Sequence, residues 1–90
     1  MDREEELAVI RGELKGLLVE RLALEGVTAA QIEDNAPLFG EGLGLDSLDA
    51  VEIIVILQRH FKIDVKEIKK GDKLFGSVAL MAEYILENRG

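Results

Sequence analysis

Ninety residues with no cysteine, no tryptophan and a net charge of −7 leave room for one small domain, 1–90. The composition excludes disulfides and thiolate metal sites, and the acidic balance argues against nucleic acid, whose binding needs a basic surface. Aromatics are confined to Phe39, Phe61, Phe75 and Tyr84, so leucine, isoleucine and valine must build the core. No unbroken apolar run is longer than that of Ile53 to Leu57, far too short to span a bilayer. The acidic opening Met1-Asp2-Arg3-Glu4-Glu5-Glu6 is unlike a secretory signal, so a cytoplasmic domain is expected.

In chain order, Leu7, Ile10, Leu14, Leu17, Leu18 and Leu22 recur at helical spacing and predict a helix over about 3–24, ended near Gly26. The connection from Gly26 to Leu45 is long for a segment without structure of its own, which points to function. Within it, Thr28-Ala29-Ala30-Gln31 has capping-box spacing and predicts a turn of helix. Val27, Ile32, Leu38, Phe39 and Leu43 are candidates to pin the rest to the core, and Pro37, Gly40, Gly42 and Gly44 mark it as loop. A second helix should start with Asp46 as N-cap and run to His60 or Phe61, with Asp49 and Glu52 in early turns where the dipole favours anions. A short third helix is expected near Val65 to Lys70, ending at Gly71. The last should begin at Ser77 and align Val78, Met81, Ala82 and Ile85 on one face. Strand patterning is absent. The fold class is all-α: a small four-helix bundle of three longer helices and one short third helix.

The charge is unevenly placed. From Leu22 to Gln58 there are seven acids and no lysine or arginine, whereas Arg59 to Lys73 holds six bases against three acids. Solubility alone accounts for this as well as steering of basic partners towards the acidic stretch does.

The second helix carries the functional signal. At 100° per residue, Ala50, Ile53, Ile54, Leu57 and Phe61 form one broad apolar face, and Leu48, Val51 and Val55 form a second. Asp49, Glu52, Arg59 and His60 line the side opposite Ser47, with Ile56 among them. Either the second stripe stays in solvent and docks a partner, or a central helix buries both. Ser47 stands first on this helix, after the glycine-rich loop. It is either an ordinary helix start or a modified group, whose phosphodiester the free N–H groups and dipole of the helix would stabilise by about 0.3–1 kcal/mol. It has no base to make it a nucleophile, because His60 lies roughly 20 Å along the helix, and Gly44-Leu45-Asp46-Ser47-Leu48 does not match the G-x-S-x-G elbow. No catalytic residue, and no enzyme, is expected.

The segment Phe39-Gly40-Glu41-Gly42-Leu43-Gly44-Leu45-Asp46-Ser47-Leu48-Asp49-Ala50-Val51-Glu52-Ile53 resembles the phosphopantetheine attachment site of acyl carrier proteins. The resemblance implies a four-helix bundle whose Ser47 receives 4'-phosphopantetheine from coenzyme A through a separate Mg²⁺-dependent synthase. It implies that Asp46 positions that enzyme's metal and substrate, and that Leu48, Asp49, Val51, Glu52 and Val55 belong to the recognition helix. It implies as partners the carrier-protein synthase, ketoacyl synthases and acyltransferases, with no nucleic acid and no membrane span, and a monomer. Ser77-Val78 and Tyr84-Ile85 are similar to the start and late turns of the family's fourth helix. Departures from the common fatty-acid pattern, Gln58-Arg59-His60 and Lys66-Glu67-Ile68-Lys69-Lys70-Gly71-Asp72-Lys73, suggest a specialised carrier in a lipid or polyketide-like pathway. The alternatives are a peptidyl carrier protein, which more often has Gly-Gly before its Asp/His-Ser pair, and an unmodified helical interaction module. Gly40-x-Gly42-x-Gly44 lacks the strand and third glycine of a nucleotide loop. Asp46, Asp49 and Glu52 do not have EF-hand spacing, so no metal site is expected.

Overall fold

The computed structural model describes residues 2–39, 44–66, 68–69 and 73–89. Three α-helices organise it: α1 (Arg3–Arg21), α2 (Ser47–Arg59) and α3 (Val78–Asn88), with 3-10 turns at Ala29–Gln31 and Lys73–Gly76. Among the described residues there is no strand, only an isolated bridge between Phe39 and Leu45. No helix there is long and apolar enough to cross a membrane. The architecture is a small helical bundle.

Asp2 starts α1 by accepting the Glu5 N–H at 2.8 Å, and Glu4, Glu5 and Glu6 follow in the first turn, where the helix dipole favours acids. The helix stops three residues earlier than its periodicity suggests. Ala23 enters the left-handed region at φ 50°, and the Leu24 N–H then reaches back to the Val19 carbonyl at 3.1 Å. That six-to-one bond closes a Schellman ending with alanine where glycine is usual, a strain of about 1 kcal/mol. Nothing in local sequence marks Ala23 as a stop. Within α1, Gly12 and Gly16 sit on the exposed side with nothing within 4 Å of where a Cβ would stand. Gly12→Ala and Gly16→Ala should each stabilise the fold by about 0.8–1 kcal/mol, seen as an upward shift of the urea midpoint at constant slope.

The core joins Ile10, Leu14 and Leu18 of α1 to Ile53 and Leu57 of α2 and to Val78, Met81, Ala82 and Ile85 of α3. α1 packs chiefly on α3 and more lightly on α2. The long connection is pinned as expected by Ile32 and Leu38, both buried, and by half-buried Val27 and Phe39; Leu43 lies outside the described residues. Gln31 Oε1 accepts the Thr28 N–H at 2.8 Å, the reciprocal half of the capping box. The short third helix moves. Val65, Lys66, Ile68 and Lys69 are not helical, Glu67 and Lys70 to Asp72 lie outside the described residues, and the helical turn comes instead at Lys73–Gly76. There Leu74 and Phe75 are buried, and Phe75 meets Phe39 edge-to-face at 6.2 Å between ring centroids. Burial of two large side chains favours the turn over the lysine-rich stretch before it.

One tie was not legible in the chain. Asp34, expected only as part of an acidic surface, offers its carboxylate to Lys15 and, at 3.4 Å, to Arg11 of α1. Its backbone carbonyl accepts the Ala79 N–H at the start of α3, at 2.8 Å. The hydrogen bond from Lys15 holds its carboxyl below the usual range, against partial burial and with help from the charges of Lys15 and Arg11. A depressed folded value adds stability above the ordinary carboxylate pKa of about 3.9, and this is lost as pH falls through the lower folded value. Asp34 is 42% exposed, so Asp34→Asn should cost about 0.5–1 kcal/mol near neutrality. In urea titrations the gap between wild type and variant should close below about pH 4.

Candidate functional site

The site is built on the start of α2. Leu45 is buried, and its N–H donates to the Leu38 carbonyl at 3.2 Å, which ties the approach to α2 to the end of the long connection. Gly44 then takes φ 71°, a left-handed conformation that suits glycine. Gly40, Glu41 and Gly42, part of the expected loop, lie outside the described residues.

Asp46 is the N-cap. Its Oδ1 accepts the N–H of Leu48 at 2.9 Å and of Asp49 at 3.1 Å. Asp49 answers, its Oδ2 accepting the Asp46 N–H at 3.0 Å, and the Ala50 N–H bonds to the Asp46 carbonyl at 3.1 Å. This capping box corrects one expectation. The amides that a phosphodiester at Ser47 would draw on are already committed to Asp46, leaving the Ser47 N–H as the first-turn amide with no acceptor among the described residues. With Asp46 and Asp49 both at this end, the helix terminus is already satisfied by anions. A phosphate attached here would therefore be held by its covalent bond to oxygen rather than by the helix dipole.

Ser47 itself is exposed. An open depression beside it is lined by Phe39, Leu45, Asp46, Ser47 and Ala50. Next to it, Leu48 is 79% exposed and Val51 45%, two large aliphatics standing in solvent on consecutive turns. Val55, Asp49 and Glu52 are half-buried. The second stripe of α2 is thus left largely bare, as one of the two sequence readings required. The broad face needs correction: Ile56, placed among polar residues by projection, is 4% exposed, whereas Ile54 is only half-buried. Leu17 of α1 lies on the Ile56 side of α2, where the two line one groove. His60 is exposed, and its Nε2 lies 3.2 Å from Oε2 of Glu13 on α1. Asp46, Asp49 and Glu52 do not converge into a metal-holding group among the described residues.

The described residues thus form a small helical bundle with an exposed serine at the head of a half-bare helix. The family model for the phosphopantetheine attachment site matches residues 13–70. The chain is similar to the acyl carrier protein of Helicobacter pylori, 32% identical over 77 residues, 86% of this chain and 91% of the relative. It is also similar to the acyl carrier protein of Chlamydia caviae, 34% identical over 58 residues, 64% of this chain and 70% of the relative. The chain belongs to the acyl carrier protein family, whose cofactor is phosphopantetheine.

Proposed function

We propose that Ser47 carries the phosphopantetheine arm and that the protein delivers acyl groups to successive acyl-processing enzymes. The single observation behind this is an exposed serine hydroxyl on the first residue of α2, with Leu48 and Val51 bare beside it. The arm's terminal thiol supplies the chemistry, holding the acyl group as a thioester. The protein's residues do the rest. Ser47 Oγ provides the attachment point, and Asp46 both caps α2 and positions the carrier-protein synthase. Leu48, Asp49, Val51, Glu52 and Val55 form the face on which that synthase, ketoacyl synthases and acyltransferases dock. In this reading the chain works as a cytoplasmic carrier and not as an enzyme.

Docking on this face is weak and brief by construction. Full burial of an aliphatic side chain is worth about 1.5–3 kcal/mol at most, and Val55 is already half-covered, while association itself costs several kcal/mol. A carrier that visits many enzymes needs such release. The bases after α2, beginning with Arg59, favour a specialised carrier serving a dedicated lipid or polyketide-like pathway. Docking to housekeeping ketoacyl synthases at their native rate would argue against that specialisation.

The test is intact mass after incubation with coenzyme A and a carrier-protein synthase. Wild type should gain one phosphopantetheine, and Ser47→Ala none, with its unfolding unchanged because the hydroxyl is exposed and makes no hydrogen bond among the described residues. A wild-type chain that stays bare in the presence of enzyme and donor would overturn the proposal.

A further inference from the structure

The docking face described above borders, at Glu52 and Val55, a second feature of α2. A groove of 140 Å³ runs between α1 and the later turns of α2. Leu17, Val55 and Ile56 give it an apolar lining, and Arg21, Arg59, Glu52 and His60 complete its walls. The Glu13–His60 contact sets the register: with the helices antiparallel, Leu17 comes opposite Ile56 and Arg21 opposite Glu52. Arg21 and Arg59 therefore mark the two ends of the groove, roughly 10 Å apart along the axis, seven residues at 1.5 Å each.

Most other bases near α1 are paired among the described residues, Arg3 at its first turn being the exception, and Arg89 reaches Glu6 at 3.9 Å. Arg11 pairs with Glu4 and Asp34, Lys15 with Asp34, and His60 with Glu13. Arg21 and Arg59 are exposed and form no ion pair among the described residues, even though Glu52 lines the same groove. The helix dipole accounts for an arginine in the last turn of each helix. It does not account for an apolar channel left between them.

We infer that this groove receives an acidic amphipathic helix of a partner enzyme, with carboxylates reaching Arg21 and Arg59 and an apolar side chain between them covering Leu17 and Val55. Charge complementarity selects the occupant. Acids seven residues apart on one face of a helix are separated by roughly 10 Å, the span between the arginines. The start of α2 presents Asp46 and Asp49 beside Ser47, whereas Glu52 lines the groove opposite Arg21 and Arg59 stands beyond Val55. A partner must then carry bases near the serine and acids over the groove. Docked the other way round, like charges would meet at both ends. This fixes the orientation of the docked enzyme and rests on the reading of α2 as the docking helix.

The experiment uses the full chain, isotope-labelled, titrated at low salt with a synthetic helical peptide bearing Glu at positions i and i+7 and Leu between them. A second peptide carries Gln in place of each Glu. The Glu peptide should move the amide resonances of Leu17, Arg21, Val55, Ile56 and Arg59. The Gln peptide should bind about tenfold more weakly, and so should the Glu peptide with the R21Q/R59Q variant, each loss corresponding to charge-assisted hydrogen bonds. Equal response to the two peptides, shifts that survive R21Q/R59Q, shifts confined to Lys62 and beyond, or the same shifts from inorganic phosphate alone would each overturn the inference. Loading of Ser47 is measured by mass on the same preparation. Loading without peptide binding overturns the groove's role alone, whereas peptide binding without loading leaves the groove standing and overturns the carrier reading.

Discussion

Leu57→Ala should cost about 2–5 kcal/mol of folding stability, while Leu48→Ala, the same change nine residues earlier on the same helix, should cost almost none. Leu57 is fully buried among the three helices, so its truncation loses transfer free energy and leaves a cavity that the bundle fills only in part. Leu48 is 79% exposed and has little burial to lose, and alanine is as good a helix former. A domain of this size has roughly 4–13 kcal/mol in total, so the first variant forfeits a large share and the second is indistinguishable from wild type in urea. Function should invert the order. Leu48→Ala removes most of an aliphatic side chain from the proposed docking face and should lower kcat/KM for loading or delivery by about tenfold, with Val51→Ala acting in the same direction. If Leu48→Ala unfolds the bundle instead, the bare stripe is not a docking surface.

Asp46 is expected to separate a structural role from a functional one. Asp46→Ala removes the acceptor of the Leu48 and Asp49 N–H groups and should cost about 1 kcal/mol. Asp46→Asn keeps an equivalent cap, because asparagine and aspartate are matched at this position, and should unfold within a few tenths of a kcal/mol of wild type. Its neutral amide nevertheless lacks the charge proposed to position the synthase. Loading of Asp46→Asn should therefore fall by about tenfold or more, the worth of a charge-assisted contact. Single-turnover loading rates beside urea titrations of both variants decide this. Full loading of Asp46→Asn would make the residue a cap and nothing further.

The three α-helices, the N-caps Asp46 and Ser77 and the head-of-helix place of Ser47 were all legible in the chain. Each is governed by neighbours within one or two turns: the spacing of aliphatics, a carboxylate or hydroxyl before the first turn, glycines before the second helix. Boundaries that hang on a single backbone angle were not legible. α1 ends at Arg21 because Ala23 turns left-handed, and the short turn forms at Lys73–Gly76 because Leu74 and Phe75 find burial there.

By itself, then, the sequence determined which segments coil, and it set two apolar stripes on α2 with a serine at their head. Only the tertiary structure decided which stripe is covered. α1 and α3 take Ile53, Ile56 and Leu57 inside, leave Ile54 half out, and leave Leu48 and Val51 bare. It also decided that Asp34 ties the long connection to α1 and α3, and that Arg21 and Arg59 face one groove. The physical reason is range: a helix follows from bonds four residues apart, whereas which of its faces loses water depends on what other helices lay against it.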